Sequence, residues 1–176
     1  MSSSLKPSIT VEVNFQDAFF APSSADCPIT ANDWTEWCQA WLDAMSDEIP
    51  QANTYELSLR LTTDEEIQTL NDRYRNRNQP TDVLAFAALE VELPQLPEEF
   101  SELEPLYLGD IIISVETAKQ QAKQQGHSLT VELAWLTSHG LLHLLGWDHP
   151  DDSTLAAMLA RQEKLLKIIG FLSQDG

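Results

Sequence analysis

Three of the chain's four histidines fall in one short run, Thr137-Ser-His-Gly-Leu-Leu-His-Leu-Leu-Gly-Trp-Asp-His149. His139 and His143 are four residues apart, so on a helix their rings leave one face, with roughly 5–6 Å between Cβ atoms. His149 comes just after Gly146, where a helix can end and the chain can turn back. That spacing can bring three imidazoles to one point. Three neutral imidazoles suit a catalytic zinc ion, because they leave a fourth position open for water. A single histidine on an apolar face is more often a satisfied core residue than a ligand. A trio packed among leucines is different, because each unpartnered ring would cost about 1–3 kcal/mol. The fourth histidine, His127, stands in a Gly-His-Ser turn and reads as a surface loop residue.

A metal needs something to act on, and the charge pattern bears on that. The chain of 176 residues carries a net charge of −18, with only ten basic residues. Such a balance argues against broad binding to duplex nucleic acid or anionic membranes. The charge is unevenly placed, however. Arg73, Arg75 and Arg77 stand together in Asn71-Asp-Arg-Tyr-Arg-Asn-Arg-Asn-Gln-Pro80, whereas six carboxylates crowd the stretch from Glu90 to Glu104. With a Debye length of about 8 Å at physiological salt, distant acids are screened and the local cluster decides what binds. One anionic group held at an arginine site therefore remains compatible with the overall charge.

The elements that must position these residues read as one α/β (α+β) domain, a small mixed sheet of about four strands packed by about five helices. Ile9, Val11, Val13 and Phe15 alternate as a half-buried strand does. Residues 32–48 place Trp34, Trp37, Cys38, Trp41, Leu42 and Met45 at helical spacing, as core rather than as a binding stripe. Tyr55, Leu57, Leu59 and Leu61 form a second strand. Thr63-Asp-Glu-Glu66 matches a capping box and opens a helix through Tyr74. A loop follows from Asn76 to Thr81, then a short strand from Asp82 to Ala87.

Residues 89–105, with three prolines and the six acids, read as an acidic loop or insertion. Tyr107–Ser114 is the most apolar strand and so a central one. A polar helix reaches Gln125. The histidine helix then spans about Ser128 to Leu145, apolar over most of its circumference and therefore buried at the domain's centre. A last amphipathic helix ends at Gly170. No apolar run approaches a membrane span, and the N-terminal residues show no secretory signal. The two cysteines, Cys27 and Cys38, read as reduced thiols of a cytosolic protein.

His139-Gly-Leu-Leu-His-Leu-Leu-Gly-Trp-Asp-His149 resembles the H-G-x-L-H-L-x-G-Y-D-H signature of the YbeY family of bacterial rRNA maturation factors. Leu70–Arg75, Pro80–Leu84 and Leu108–Ser114 are similar to that family's other blocks, in the same order. The resemblance implies a single-strand-specific, metal-dependent endoribonuclease acting in 16S rRNA 3′-end maturation and ribosome quality control. It implies rRNA and small-subunit components as partners, and one zinc ion on His139, His143 and His149. The family's conserved arginine falls on Arg75. The chain departs from the family pattern at Asn78 (usually Asp), at Ala85-Phe86-Ala87 (usually Ser-Phe-Pro) and at Trp147 (usually Tyr).

The chemistry of the residues agrees with that reading. A zinc-held water has its pKa lowered to about 7, and a guanidinium matches phosphoryl oxygens in a bidentate way. Arg75 is the candidate to stabilise the phosphoryl charge. Arg73 and Arg77 are candidates for flanking phosphates, or are solvated surface charge. Asp110 and Asp148 could orient ligand histidines, and Asp148 could equally cap the turn before His149. HExxH metalloproteases carry a glutamate base after the first histidine, whereas this chain has Gly140. Two alternatives remain: a non-catalytic ribosome-assembly module with a structural metal, and another metal-dependent hydrolase such as a peptidase.

Overall fold

A computed structural model of the chain describes residues 9–20, 27–88 and 105–171. Four strands form one mixed sheet: β1 (Thr10–Asp17), β2 (Thr54–Thr62), β3 (Val83–Ala87) and β4 (Leu106–Ser114). The order across the sheet is β1-β2-β4-β3. β1, β2 and β4 run parallel, and β3 closes one edge antiparallel to β4. The helices among the described residues are α1 (Ala31–Ala44), α2 (Asp64–Arg75), α3 (Val115–Gln125), α4 (Leu129–Leu144) and α5 (Asp152–Ile168). None is long and apolar enough to cross a membrane. The acidic stretch 89–104 lies outside the described residues.

Local sequence explains where the helices start. Thr30, Thr63, Ser114, Ser128 and Asp151 each accept a backbone N–H of the following first turn, which satisfies a donor that the helix itself leaves unpaired. α4 carries the histidine run. Its buried residues extend from Glu132 to Leu144 and go all the way round, as its apolar circumference predicts. It lies against β3 and β4 beneath, α3 on one flank and α5 on the other. β4 is an inner strand, and Ile111, Ile112 and Ile113 are all buried.

The sheet has two unequal faces. Leu57, Leu59, Leu61, Ile111 and Ile113 join α1, α4 and α5 in the main core. Ile112 and Leu84 point the other way and pack under Ile67 of α2. Alternation along β4 therefore assigns Asp110 to the α2 face. Its pairing confirms this: Asp110 sits level with Ser58 and Phe86 and accepts a hydrogen bond from the Tyr107 hydroxyl. Burial and that carboxylate hold the Tyr107 phenol up at about 12.

Two glycines let α4 approach the sheet. A Cβ on Gly140 would lie 2.8 Å from Ile111 Cγ2. At Gly109, with φ +138°, a Cβ would lie 2.2 Å from the Phe86 carbonyl oxygen and 2.8 Å from Leu144. Backbone cannot yield as a side-chain tip can, so β3 would have to separate from β4 and the Leu144 side chain of α4 would have to shift. We expect Gly109→Ala to cost about 3 kcal/mol, from positive-φ strain and overpacking together. Chemical denaturation of the two proteins measures the difference; a midpoint matching wild type would contradict this packing account.

Candidate metal centre

The end of α4 is what brings the third histidine back. Gly146 adopts φ +99°. Its N–H bonds the His143 carbonyl at 3.0 Å, and the Trp147 N–H bonds the Leu142 carbonyl at 2.9 Å. This is the paired pattern of a Schellman motif, in which a left-handed residue reverses the chain. Asp148 then accepts the His149 N–H at 2.8 Å, so it caps this turn. His149 is returned over α4, its ring centroid 5.6 Å from that of His139 and 5.3 Å from that of His143.

One nitrogen from each of His139, His143 and His149 lies within 4.8 Å of the other two, a group that could hold a metal ion. Hydrogen bonding tests whether the donors fit one. The Gln162 amide donates to the Trp135 carbonyl at 3.3 Å, so its oxygen faces His139 Nδ1 at 3.0 Å. That oxygen can only accept, so Nδ1 carries the proton and Nε2 keeps its lone pair. His143 Nε2 stands 3.0 Å from His139 Nε2. With the proton on His143 Nε2 the contact is a hydrogen bond to the His139 lone pair; with that proton displaced, both lone pairs face one point, where a cation can be held. Two nitrogens on a tetrahedral zinc stand roughly 3.3 Å apart, so the donor set fits a divalent ion.

Electrostatics favour the same state. Burial, and next the adjacent His139, push His143 below its ordinary pKa. The ring is therefore neutral at pH 7, the form that ligates metal. The two thiols take no part. Burial pushes Cys38 up to about 12, and Cys27 donates to the Ile29 carbonyl at 3.1 Å.

The three histidines line a cleft of about 830 Å³ together with Arg75, Arg77 and Asp148. Arg75 is the last residue of α2, on the far face of the sheet, yet it reaches the cleft round the open edge of β3. Its Nη2 donates to the Ala85 carbonyl at 2.8 Å, and its guanidinium rests 4.9 Å from the Phe86 ring centroid. Buried Asn71 shapes the loop beyond, donating to the Gln79 carbonyl at 2.9 Å and accepting from the Arg77 N–H at 3.2 Å. Asn78 is tied to α2 through Gln68 at 3.0 Å.

Some expected site residues lie elsewhere. Asp110 points to the α2 face and touches no histidine, so it does not orient the trio. Arg73 lies over the Tyr74 ring at 5.4 Å and does not line the cleft. His127 is not a free surface residue either: its Nε2 sits 2.5 Å from Glu132, a carboxylate only 3 % exposed. Gln162 and Asn71 were missed as organisers of the site. The signal for Gln162 was a polar residue on the buried face of α5, between Met158 and Leu165.

A family model described as Endoribonuclease YbeY matches residues 20–170. The chain belongs to the YbeY family. Among relatives named Endoribonuclease YbeY, that of Nostoc sp. strain PCC 7120 is 54% identical over 170 residues, covering 92% of this chain and 91% of the relative. That of Synechocystis sp. strain PCC 6803 is 50% identical over 165 residues, covering 92% of each. The solution structure of TM1509 from Thermotoga maritima has a TM-score of 0.52 and 21% identity, covering 91% of this chain and 89% of that one. It shares the fold. The chain is thus a YbeY-family nuclease whose histidine trio could bind a metal ion.

In this YbeY-family chain, Gln162 is the outer partner that fixes a donor nitrogen. Gln162→Leu would keep the volume and remove that partner, and the loss of such outer bonds lowers metal affinity about 10- to 100-fold. Competition with a chelator for Zn²⁺ measures it. Unchanged affinity would show that His139 needs no such orientation.

Proposed function

We propose that the chain is a zinc-dependent, single-strand-specific endoribonuclease acting in 16S rRNA 3′-end maturation and ribosome quality control. In this reading residues 1–176 work as one cytoplasmic endoribonuclease domain, with single-stranded rRNA and small-subunit components as partners. His139, His143 and His149 are the ligands of one divalent ion, and Arg75 is the catalytic cation. One observation carries the reading: the three histidines and Arg75 line the same cleft. The family's endoribonuclease name, printed for relatives at about half identity, supports the choice of RNA.

When bound, the ion supplies an acidified water and a Lewis acid. The chain's own residues do the rest. Gln162 keeps the ligand nitrogen of His139 free of a proton. Arg75 presents a fork of N–H donors to the phosphoryl oxygens, where charge grows as the phosphodiester is attacked. Its Nη2 is anchored on Ala85, so the fork is partly preorganised. Arg77, which lines the same cleft, can meet a flanking phosphate. Arg73 is left out of the cleft and out of this assignment.

A peptidase reading loses support at Gly140. A Cβ there would meet Ile111, so a side chain at that position would point into the sheet rather than toward the trio. A purely structural metal would leave the cleft arginine without a task. The deciding experiment measures zinc content and cleavage of an unstructured RNA for wild type, His143→Ala and Arg75→Ala. We expect wild type to cut and His143→Ala to lose both metal and activity. Arg75→Ala should keep its metal and lose about 10²–10³ in rate, as when one preorganised charge-stabilising donor is removed. Full cleavage by Arg75→Ala would remove it from the mechanism. Metal-loaded wild type that leaves RNA intact would favour the assembly module.

A further inference from the structure

The residue beside Arg75 has a property that phosphate binding does not explain. Tyr74 is 55 % exposed, the most open of the large apolar residues described; the other exposed ones, Leu155, Leu159 and Ile168, are all aliphatic and less open. Its ring is nonetheless held in place. Phe86 meets it edge-to-face at 5.5 Å and 67°, and the Arg73 guanidinium lies 5.4 Å from its centroid. The same Phe86 ring carries the Arg75 guanidinium at 4.9 Å. One phenyl ring therefore sets the spacing between an exposed aromatic and the cleft arginine.

The charge around it is unusual for this chain. Arg60 and Arg161 each bind a glutamate through two nitrogens. Arg73, Arg75 and Arg77 have no carboxylate partner among the described residues, although the chain has 28 acidic residues. An exposed aromatic held beside arginines that lack a carboxylate partner among the described residues matches the way single-stranded nucleic acid is gripped: bases stack on rings while cations follow the backbone.

We propose that Tyr74 is a specificity-determining residue, the seat on which one unpaired RNA base stacks, next to the phosphate that Arg75 receives. This rests on the endoribonuclease reading above and extends it, because a base still paired in a duplex cannot leave its stack to occupy the ring. The site thereby reads strandedness through Tyr74 and reads no base identity, since every base has a π-face.

The test is steady-state cleavage of a short single-stranded RNA by the zinc-loaded full chain, beside a set of the same RNA with one abasic nucleotide at each successive position. For wild type we expect KM to rise about ten-fold at one position near the cut, with kcat little changed. In Tyr74→Ala, KM for the intact RNA should rise about as much and the abasic penalty should vanish. Tyr74→Phe should restore both. A penalty that persists undiminished in Tyr74→Ala, or a wild type indifferent to every abasic position, overturns the stacking seat alone. A wild type that cuts none of these RNAs overturns the endoribonuclease reading and the seat with it. Thermal melting of each variant identifies any loss that comes from misfolding.

Discussion

Two imidazole nitrogens held 3.0 Å apart, with a third histidine ring returned beside them, are the constraint on which the rest of this structure depends. The fold orients the His139 ring through Gln162 and carries His149 back to it through the turn at Trp147. Each partner is itself secured. Gln162 is fully buried on α5 and anchored to Trp135 of α4. Trp147 lies in the Schellman turn set by Gly146 and is backed by the Arg161 guanidinium at 5.3 Å. These contacts hold together a donor set that could bind a metal ion.

Holding that geometry requires α4 to be immobile, which accounts for its environment. It is wrapped by sheet, α3 and α5, and Gly109 and Gly140 let it sit closer to β3 and β4 than any side chain would allow. The buried Glu132 in its first turn is matched by His127. The arginine wall is built differently. It sits on the end of one helix and a short loop at an open sheet edge, with exposed side chains. The proposed division of labour follows from this contrast: a rigid half that holds an ion and an adaptable, cationic half that receives RNA. The chain's net charge of −18 makes that small basic area stand out locally, since screening confines each charge to a neighbourhood of about 8 Å.

Much of this was legible in the sequence because the signals were local. Histidines four apart share a helix face, a glycine past the last leucine ends the helix, and alternation marks each strand. The element order and the centrality of β4 follow from those patterns. What was not legible depended on which surface faces which. β4 is apolar on both faces through Ile111, Ile112 and Ile113, so nothing local says that Asp110 points to α2 rather than to the histidines. Gln162 finds His139 from 23 positions away, through the packing of α5 on α4. Arg73 and Arg75, two apart on a helix, necessarily point in different directions. Only the path of β3 decides which of them reaches the cleft.

The central claim is that the histidine trio and Arg75 act on one phosphate. The most direct measurement is a crystal structure of the protein with Zn²⁺ and a short RNA bearing a non-hydrolysable linkage. The account expects a single backbone phosphate contacting both the histidine-held ion and the Arg75 guanidinium. An ion held elsewhere, or a phosphate that contacts the ion while Arg75 stays on Ala85 without touching it, would contradict the account.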